Sequence, residues 1–288
     1  MSRSNSIDGG GPLNSHSTGE SADPSGSEVA HRKPEVWSFA NQKGGCGKTT
    51  TAVNLAGALV ARGQRVLLLD NDPQAHATLA LGHCAEPRAS LAEVLLGERS
   101  LDSILAAVSP GLFLAPASLE LSRFENRAGS HLRPEEALTS AISSLSLEVD
   151  WILIDCPPRA DGVLTSCAVY ASTTVCLVVE TGAFSLQGAL RARGLIEQLA
   201  LELGCPLDLR VIATLFNRRV RFAQEVLIGM QARFGSRLFD TAIRESVRLR
   251  EAAAYGVGVE ALEPSSKAAT DFRALADEVL AYARSRKA

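Results

Sequence analysis

The sequence lacks any apolar run of about 18 residues, the length that a membrane-spanning helix needs, so no membrane span is expected. It also lacks an apolar stretch near its amino terminus, so no secretory signal is predicted. A large excess of one charge is missing as well, because 29 basic and 32 acidic side chains leave a net charge of −3. Bulk charge therefore points to no particular class of partner.

Closely paired cysteines are absent too. None of the six cysteines belongs to a C-x-x-C pair, so a zinc or iron–sulfur site built from a local motif is not expected. Several lie inside apolar runs, which predicts buried free thiols in a reducing cytoplasm. The six are Cys46, Cys84, Cys156, Cys167, Cys176 and Cys205.

Bulky apolar side chains are scarce in residues 1–33, which hold eight serines and five glycines. Such a segment cannot bury enough surface to offset the entropy lost on ordering it, so we expect a disordered polar tail. It is either a passive extension or a docking segment that folds on a partner. We assign the remaining residues, 34–288, to one folded domain, a length that a single large α/β domain can have.

Strand and helix patterns alternate along residues 34–288. Runs such as RVLLLD (65–70) are almost continuously apolar, as expected for parallel strands covered on both faces. Helical patterns lie between them, which predicts an α/β fold: a doubly wound, mostly parallel sheet with helices on both faces. The predicted strands are 36–40, 65–70, 112–117, 151–156, 174–180 and 209–216. The predicted helices are 49–61, 90–97, 134–146, 184–203, 219–234, 246–255 and 267–285.

Residues 41–50 read NQKGGCGKTT and lie between a predicted strand and a predicted helix. This is the context of a phosphate-binding loop, in which backbone N–H groups and a helix amino terminus face the phosphates. We expect Lys48 to reach the β- and γ-phosphates and the Thr49 hydroxyl to bind Mg²⁺. The usual pattern G-x-x-x-x-G-K-[ST] is broken, because Gln42 stands where its first glycine belongs. The next residue, Lys43, adds a second cation.

Aspartates stand at the ends of two apolar strands. RVLLLDNDPQ supplies Asp70 and Asp72, and WILIDCPP supplies Asp155. An aspartate at a strand end is often a turn or cap residue, yet the carboxyl ends of parallel strands meet at the ligand crevice of such a sheet. Because Mg²⁺ prefers oxygen ligands, these aspartates beside a phosphate loop predict a Mg²⁺ site.

Together, KGGCGKTT, RVLLLDNDPQ, WILIDCPP and VRLREAAAYG resemble the ParA/MinD family of P-loop ATPases, with the ParA (Soj-like) branch closest. The resemblance covers residues 35–285. It implies ATP and Mg²⁺ as cofactors and a deviant loop that lacks the first glycine and carries a signature lysine, here Lys43. The residues that it assigns to the nucleotide are Lys43, Gly44, Gly45, Cys46, Gly47, Lys48, Thr49, Thr50 and Asn217.

The same resemblance implies roles in catalysis. Lys43 reaches across a dimer interface to the nucleotide of the other subunit, where its charge offsets the repulsion between two polyphosphates. Lys48 and Asp72 complete the catalytic set, and Asp72 orients the attacking water. The implied metal set, in which the aspartates act through the outer shell, is Thr49, Asp70 and Asp155.

Residues 210–250 hold nine arginines, three acidic residues and no lysine, a net charge of +6 in a chain of −3. Such asymmetry is typical of a polyanion-binding face, although a solvated basic face without a partner has the same composition. The resemblance implies non-specific, salt-dependent DNA binding with Arg219 and Arg248 on the contact positions. The resemblance places three further DNA contacts beside them, which are Arg218, Arg221 and Arg250.

The chain departs from the family pattern in two segments. AIRESVRLREAAA (242–254) has Arg244 and Glu245 where ParA proteins commonly have proline and arginine, which leaves the adenine contacts unassigned. VVETGAFSLQG (178–188) lacks the family's usual proline and glutamate. These departures favour a branch that positions a cargo other than that of a standard chromosome-partition ParA, such as a division-site regulator, a chemosensory cluster or a plasmid.

The resemblance thus predicts a cytoplasmic, nucleoid-associated ATPase that is slow unless a partner protein and DNA stimulate it. In its ATP state it forms a homodimer, binds DNA non-specifically, and positions or segregates a chromosome, a plasmid or a protein complex. A ParB-like activator or another cargo adaptor is the expected partner, and one hypothesis places its docking site in the tail.

Two alternatives stay open. A MinD-like membrane regulator requires an amphipathic carboxyl-terminal helix with bulky apolar residues, whereas LADEVLAYARSRKA tapers into small and charged residues, so no membrane partner is expected. A metabolic relative would be a ligase-type ATPase with a small co-substrate or an iron–sulfur carrier, and the carrier's C-x-x-C motif is absent.

Overall fold

The computed structural model describes residues 33–130, 132–159 and 161–287. Except for Lys33, the predicted tail lies outside the described residues, so the tail and its suggested docking role stay predictions. No helix among the described residues is long and apolar enough to cross a lipid bilayer.

The described residues form a seven-stranded sheet with the strand order β3-β4-β2-β5-β1-β6-β7. Every neighbouring pair is parallel except β3 and β4, which are antiparallel. The predicted doubly wound, mostly parallel α/β sheet is therefore confirmed. The strands are β1 (Glu35–Ala40), β2 (Val66–Asp70), β3 (Ala106–Ser109), β4 (Leu112–Ala115), β5 (Trp151–Asp155), β6 (Thr174–Glu180) and β7 (Leu209–Thr214).

Helices cover both faces of this sheet. Alternate residues of one strand point to opposite faces, so that Leu68 packs with α1, α9 and α11 while Leu67 and Leu69 pack with α3, α4 and α6. A third cluster joins β6 and β7 to α7 and α8. The helices are α1 (Lys48–Val60), α2 (His76–Ala80), α3 (Leu91–Leu95), α4 (Leu121–Arg127), α5 (Ala137–Ser143), α6 (Val163–Ala171), α7 (Ser185–Leu203), α8 (Arg221–Phe234), α9 (Val247–Ala254), α10 (Val259–Leu262) and α11 (Lys267–Lys287).

The predicted strands and helices are all present, most of them with shifted ends, but several elements were not predicted. The edge strand β3 has four small or β-branched residues with little apolar signal, and it is held in place by antiparallel pairing with β4. The helix α6 was not predicted because VLTSCAVYA is apolar on most sides. The structure explains this composition, since α6 packs between the sheet, α5 and α7. The short helices α2, α4 and α10 were also not predicted.

The strand register places the predicted site residues at one edge. Asp70 lies opposite Asp155 across β2 and β5, and Phe39 lies opposite Asp155 across β1 and β5. Because these strands are parallel, the loop that follows Ala40 begins beside both aspartates. The carboxyl edge of the sheet therefore carries the phosphate-loop sequence and the carboxylates together.

Candidate active site

The loop between β1 and α1 depends on two glycines. Gly45 and Gly47 have φ angles of 76° and 97°, in the left-handed region that glycine adopts without strain. A Cβ at Gly47 would lie 3.6 Å from the Thr214 side chain at the end of β7. The Thr214 hydroxyl also donates a hydrogen bond of 2.6 Å to the Cys46 carbonyl. The Thr214 hydrogen bond thus holds the loop against β7, and the residues after Gly47 begin α1.

The two loop lysines occupy different environments. Lys48 is buried, and its Nζ donates to the Lys43 carbonyl oxygen at 3.3 Å. The Lys43 side chain is about half exposed, and its Nζ forms an ion pair with Glu180 at the end of β6. Asn41 stabilises the turn that leads into Lys43, since it accepts from the Lys43 N–H at 3.1 Å and donates to the Val178 carbonyl at 2.7 Å. Lys48 therefore belongs to the loop interior, and Lys43 to the surface.

Two carboxylates lie side by side in the protein interior. Asp70 and Asp155 are both fully buried. Neither carboxylate oxygen of Asp155 has a hydrogen-bond partner among the described residues. Burial, followed by the charge of Asp70, raises the pKa of Asp155 well above its usual range. The Thr49 hydroxyl of α1 opposes this rise in pKa.

Asp70 differs from Asp155 in having partners. Its Oδ2 accepts hydrogen bonds from the backbone N–H and the hydroxyl of Thr78, both at 2.7 Å. Burial nevertheless raises the pKa of Asp70 to about 6. Buried carboxylates without a compensating charge are unfavourable, and carboxylate and hydroxyl oxygens are ligands suited to Mg²⁺. The unpartnered oxygens of Asp155 beside Thr49 therefore fit a bound divalent cation.

A cavity of about 520 Å³ opens beside the loop. Apolar side chains of α1, α2 and α9 form part of its lining, among them Val53, Leu79 and Leu249. Asp72 also faces it, and Asp72 Oδ1 accepts from the Gln74 N–H at 2.9 Å. The predicted site residues that line the cavity are Gly44, Gly45, Gly47, Lys48, Thr49, Thr50 and Asp72.

Other predicted site residues do not line this cavity. Cys46 is fully buried, and burial raises the pKa of its thiol, as expected for a small filler. Asn217 lies beyond β7, where its Oδ1 accepts from the Arg219 N–H at 3.0 Å and stabilises the turn before α8. The predicted residues outside the cavity lining are Lys43, Cys46, Asp70, Asp155 and Asn217.

Two residues at this edge were not predicted. Glu180, the ion-pair partner of Lys43, could have been found from its position at a strand end. Thr78 carries no comparable signal, because it follows Asp70 by eight residues inside a helix that was not predicted.

Comparison with known proteins agrees with this geometry. Residues 34–207 match the AAA domain family. The chain is 35% identical over 258 residues to the chromosome partitioning protein ParA of Caulobacter vibrioides, covering 88% of this chain and 96% of that protein. It is 32% identical to the sporulation initiation inhibitor protein Soj of Bacillus subtilis, covering 86% of this chain and 98% of that protein. The chain belongs to the ParA/MinD family of P-loop ATPases.

A solved structure with the same fold is cobyrinic acid a,c-diamide synthase from Mycobacterium smegmatis with bound ADP and magnesium. Its TM-score is 0.77 at 30% sequence identity, covering 88% of this chain and 96% of that chain. The ParA/MinD resemblance predicted from the sequence is thus confirmed, and the chain is a ParA-type ATPase close to the Soj branch.

The basic segment of this ParA-type chain is less uniform than its composition indicates. The Arg210 guanidinium stacks over the rings of Phe239 and Tyr282, at 4.7 and 4.2 Å from their centroids. Arg244 binds Asp271 of α11, with Nε at 3.0 and 2.8 Å from the two carboxylate oxygens. Both arginines stabilise the fold, so only part of the +6 charge is available to a partner.

The remaining arginines of this segment include the five predicted DNA contacts, which are all exposed. Arg218 and Arg219 form no ion pair among the described residues. The others have acidic neighbours, and the shortest distances are 2.7 Å for Arg248–Glu251, 3.0 Å for Arg221–Glu225 and 3.6 Å for Arg250–Glu245.

Backbone hydrogen bonds bring the two arginine segments together. The Phe216 N–H donates to the Ile243 carbonyl at 3.0 Å, and the Glu245 N–H donates to the Phe216 carbonyl at 3.1 Å. The turn that carries Arg218 and Arg219 therefore lies beside the segment that leads into α9.

Proposed function

We propose that this ParA-type ATPase hydrolyses ATP as a switch that positions or segregates a cargo. ATP and Mg²⁺ are its cofactors. The observation that carries the proposal is the buried, unpartnered carboxylate of Asp155, next to Asp70 and to a loop built for phosphates. Bound Mg²⁺ would neutralise charge on the β- and γ-phosphates of the nucleotide. Thr49, Asp70 and Asp155 would hold it, the aspartates through its outer shell.

Each residue that faces the cavity has a role in this proposal. The backbone N–H groups around Gly45 and Gly47 bind phosphate oxygens, and Lys48 reaches over the loop to the β- and γ-phosphates. Asp72 orients the attacking water, which the cavity admits beside the loop. Catalysis of this kind depends mainly on positioning, so displacement of one of these groups lowers the rate by orders of magnitude.

The proposal includes an ATP-dependent homodimer. Lys43 is about half exposed and stands at the rim of the site, from which it can contact the nucleotide of a second copy. Two polyphosphates facing one another repel, and a lysine from each subunit offsets that repulsion. Dimerisation is then coupled to the presence of nucleotide in both subunits.

The proposed second ligand is duplex DNA of any sequence. Arg218 and Arg219 are exposed and lie beside the segment that leads to Arg248 and Arg250 of α9. One subunit offers few phosphate contacts and a dimer offers twice as many, so ATP controls DNA affinity through dimerisation.

Such a protein would be cytoplasmic and associated with the nucleoid. A ParB-like activator or cargo adaptor, docking in one hypothesis on residues 1–33, would stimulate slow hydrolysis.

The membrane alternative is disfavoured by the end of α11. The last turn of this helix binds β1 and its neighbours, with Arg286 at 2.7 Å and Lys287 at 2.8 Å from Glu35. Tyr282 donates to Asp208 at 2.7 Å. These polar side chains stabilise the fold, whereas a membrane-binding helix needs a free apolar face.

The direct test uses Asp72→Ala, which is expected to bind ATP, fail to hydrolyse it, and stay on random duplex DNA as a dimer. Size-exclusion chromatography with light scattering and DNA retention at low salt measure both properties, and wild-type protein with ADP is the control. Absence of DNA binding by the ATP-bound variant would contradict the DNA part of the proposal. ATP-dependent flotation with liposomes would support the membrane alternative.

A further inference from the structure

Helix α2 holds one of the two site carboxylates through Thr78. Thr78 is fully buried, and both its backbone N–H and its hydroxyl donate to the same oxygen of Asp70 at 2.7 Å. The hydroxyl also accepts a hydrogen bond of 3.0 Å from the Ala117 N–H after β4. Since the hydroxyl has a fixed donor and a fixed acceptor, its orientation is set. The Asp70 carboxylate therefore follows the position of α2.

The residues that follow α2 contact the residues that follow α9. Gly82 and Gly256 pack backbone against backbone, so that a Cβ on Gly256 would lie only 2.6 Å from the Cα of Gly82. In the other direction, a Cβ on Gly82 would lie 3.1 Å from the Gly256 carbonyl oxygen. Gly256 closes α9, since its N–H donates to the Ala253 carbonyl at 3.2 Å. No side chain stands between these backbones to absorb a shift of either one.

We propose that Thr78 is a positioning residue for Mg²⁺ and that α2 transmits the Mg²⁺-bound state to α9. This inference rests on the proposed function, in which Asp70 belongs to the metal set and α9 carries Arg248 and Arg250. A cation that draws Asp70 toward it moves Thr78 and with it the five-residue helix α2. Packed interiors transmit such shifts, because they contain little free volume. The Gly82–Gly256 contact then passes the shift to the arginine helix.

The first experiment compares Thr78→Val, which removes the hydroxyl but keeps the side-chain shape, with Thr78→Ser, which keeps the hydroxyl. Binding of a fluorescent ATP analogue is measured during a Mg²⁺ titration and again in EDTA. We expect Thr78→Val to weaken the apparent Mg²⁺ affinity by about 10- to 100-fold, as loss of an outer-shell partner commonly does. Thr78→Ser should stay near wild type, and binding in EDTA should be unchanged in both. If Thr78→Val does not fold, Thr78→Ala replaces it.

Two results would overturn the positioning role of Thr78. One is an unchanged Mg²⁺ affinity in Thr78→Val. The other is an equal loss of binding with and without Mg²⁺, which would indicate general structural damage. If wild-type protein binds the nucleotide without any dependence on Mg²⁺, the proposed function itself fails, and this outcome is distinct from the other two.

The second experiment tests the contact between α2 and α9. Hydrogen exchange of the α9 amides is measured with and without Mg²⁺ and ATP in Gly256→Ala and in the control Gly63→Ala. Both glycines have positive φ, 70° and 77°, but no atom lies within 4 Å of a Cβ at Gly63. We expect Mg²⁺ and ATP to change α9 protection in wild type and Gly63→Ala, and not in Gly256→Ala. A response retained by Gly256→Ala, or absent from a wild-type protein that binds Mg²⁺, would overturn the relay.

Discussion

Replacing Asp70 by asparagine is expected to stabilise the protein at neutral pH when Mg²⁺ and nucleotide are absent. Asp70 is fully buried, and burial raises its pKa from 3.8 to about 6. The neighbouring Asp155 is equally buried, and its pKa is raised well above the usual range by burial and by the charge of Asp70. Above pH 6 the folded protein therefore holds charges that water solvates better in the unfolded chain.

The magnitude follows from the pKa of Asp70. A shift from 3.8 to about 6 corresponds to about 3 kcal/mol of unfolding free energy, since one unit is roughly 1.4 kcal/mol. Because the folded-state pKa is the higher one, this stability is complete below pH 3.8 and is lost as the pH rises through about 6. Asparagine stays uncharged and avoids the loss, but it bonds Thr78 less strongly, by about 1 kcal/mol. The expected net gain above pH 7 is about 2 kcal/mol.

Urea unfolding in EDTA at about pH 5 and pH 7.5 measures this difference, and the advantage of Asp70→Asn should grow by roughly 1 kcal/mol between them. Asp277→Asn is the control with the opposite sign, because a hydrogen bond from Arg62 lowers the pKa of Asp277 and its loss destabilises the protein. With Mg²⁺ and ATP, the melting temperature should rise less in Asp70→Asn than in wild type, because the variant binds Mg²⁺ more weakly. An advantage that does not grow with pH would refute the reasoning.

Three other variants test separate parts of the proposal. Lys43→Gln should bind ATP with wild-type affinity and lose hydrolysis in a turnover assay, whereas undiminished turnover would remove Lys43 from the catalytic set. Arg219→Ala should weaken binding to duplexes of every sequence and reduce the salt dependence of affinity by about one phosphate contact, measured by fluorescence anisotropy. Arg244→Ala should instead lower the melting temperature, because it leaves Asp271 of α11 without its bidentate partner; unchanged stability would contradict its structural role.

The parts of the site that the sequence could predict are those with local signals. Lys48 and Thr49 follow a glycine loop directly, and Asp70 and Asp155 end apolar strands. A parallel sheet brings the carboxyl ends of its strands to one edge, so the proximity of these residues could be predicted without knowing how the side chains pack. Thr78 could not be found in this way, because its role depends on a five-residue helix whose short sequence contains no distinctive pattern.

The arginines show the limit of composition. Arg210 and Arg219 are equivalent in a count of charges, yet Arg210 stacks between Phe239 and Tyr282 while Arg219 is exposed. The difference arises because β7 places Arg210 beside a turn and a helix that lie far from it in the sequence. A charge count therefore shows that a segment is basic. Only the packing of the folded chain shows which of its arginines are exposed and can contact a polyanion.

Backbone strain and buried charge lie at the same edge of the sheet. A nucleotide that binds there can therefore act as a switch, because it changes the energetics of this edge. Among the residues that the structure describes, three other than glycine have positive φ, and each follows a strand at the carboxyl edge: Ala75 at 54°, Phe184 at 60° and Leu215 at 52°. Backbone of this kind typically costs 1–3 kcal/mol per residue and persists where the surrounding structure enforces it. The paired carboxylates of Asp70 and Asp155 add an electrostatic cost at that edge. A ligand that neutralises the carboxylates consequently removes an electrostatic cost at the edge where it binds. Small changes in this region can then alter the loops that carry Lys43 and Arg219 while the core of the sheet stays fixed.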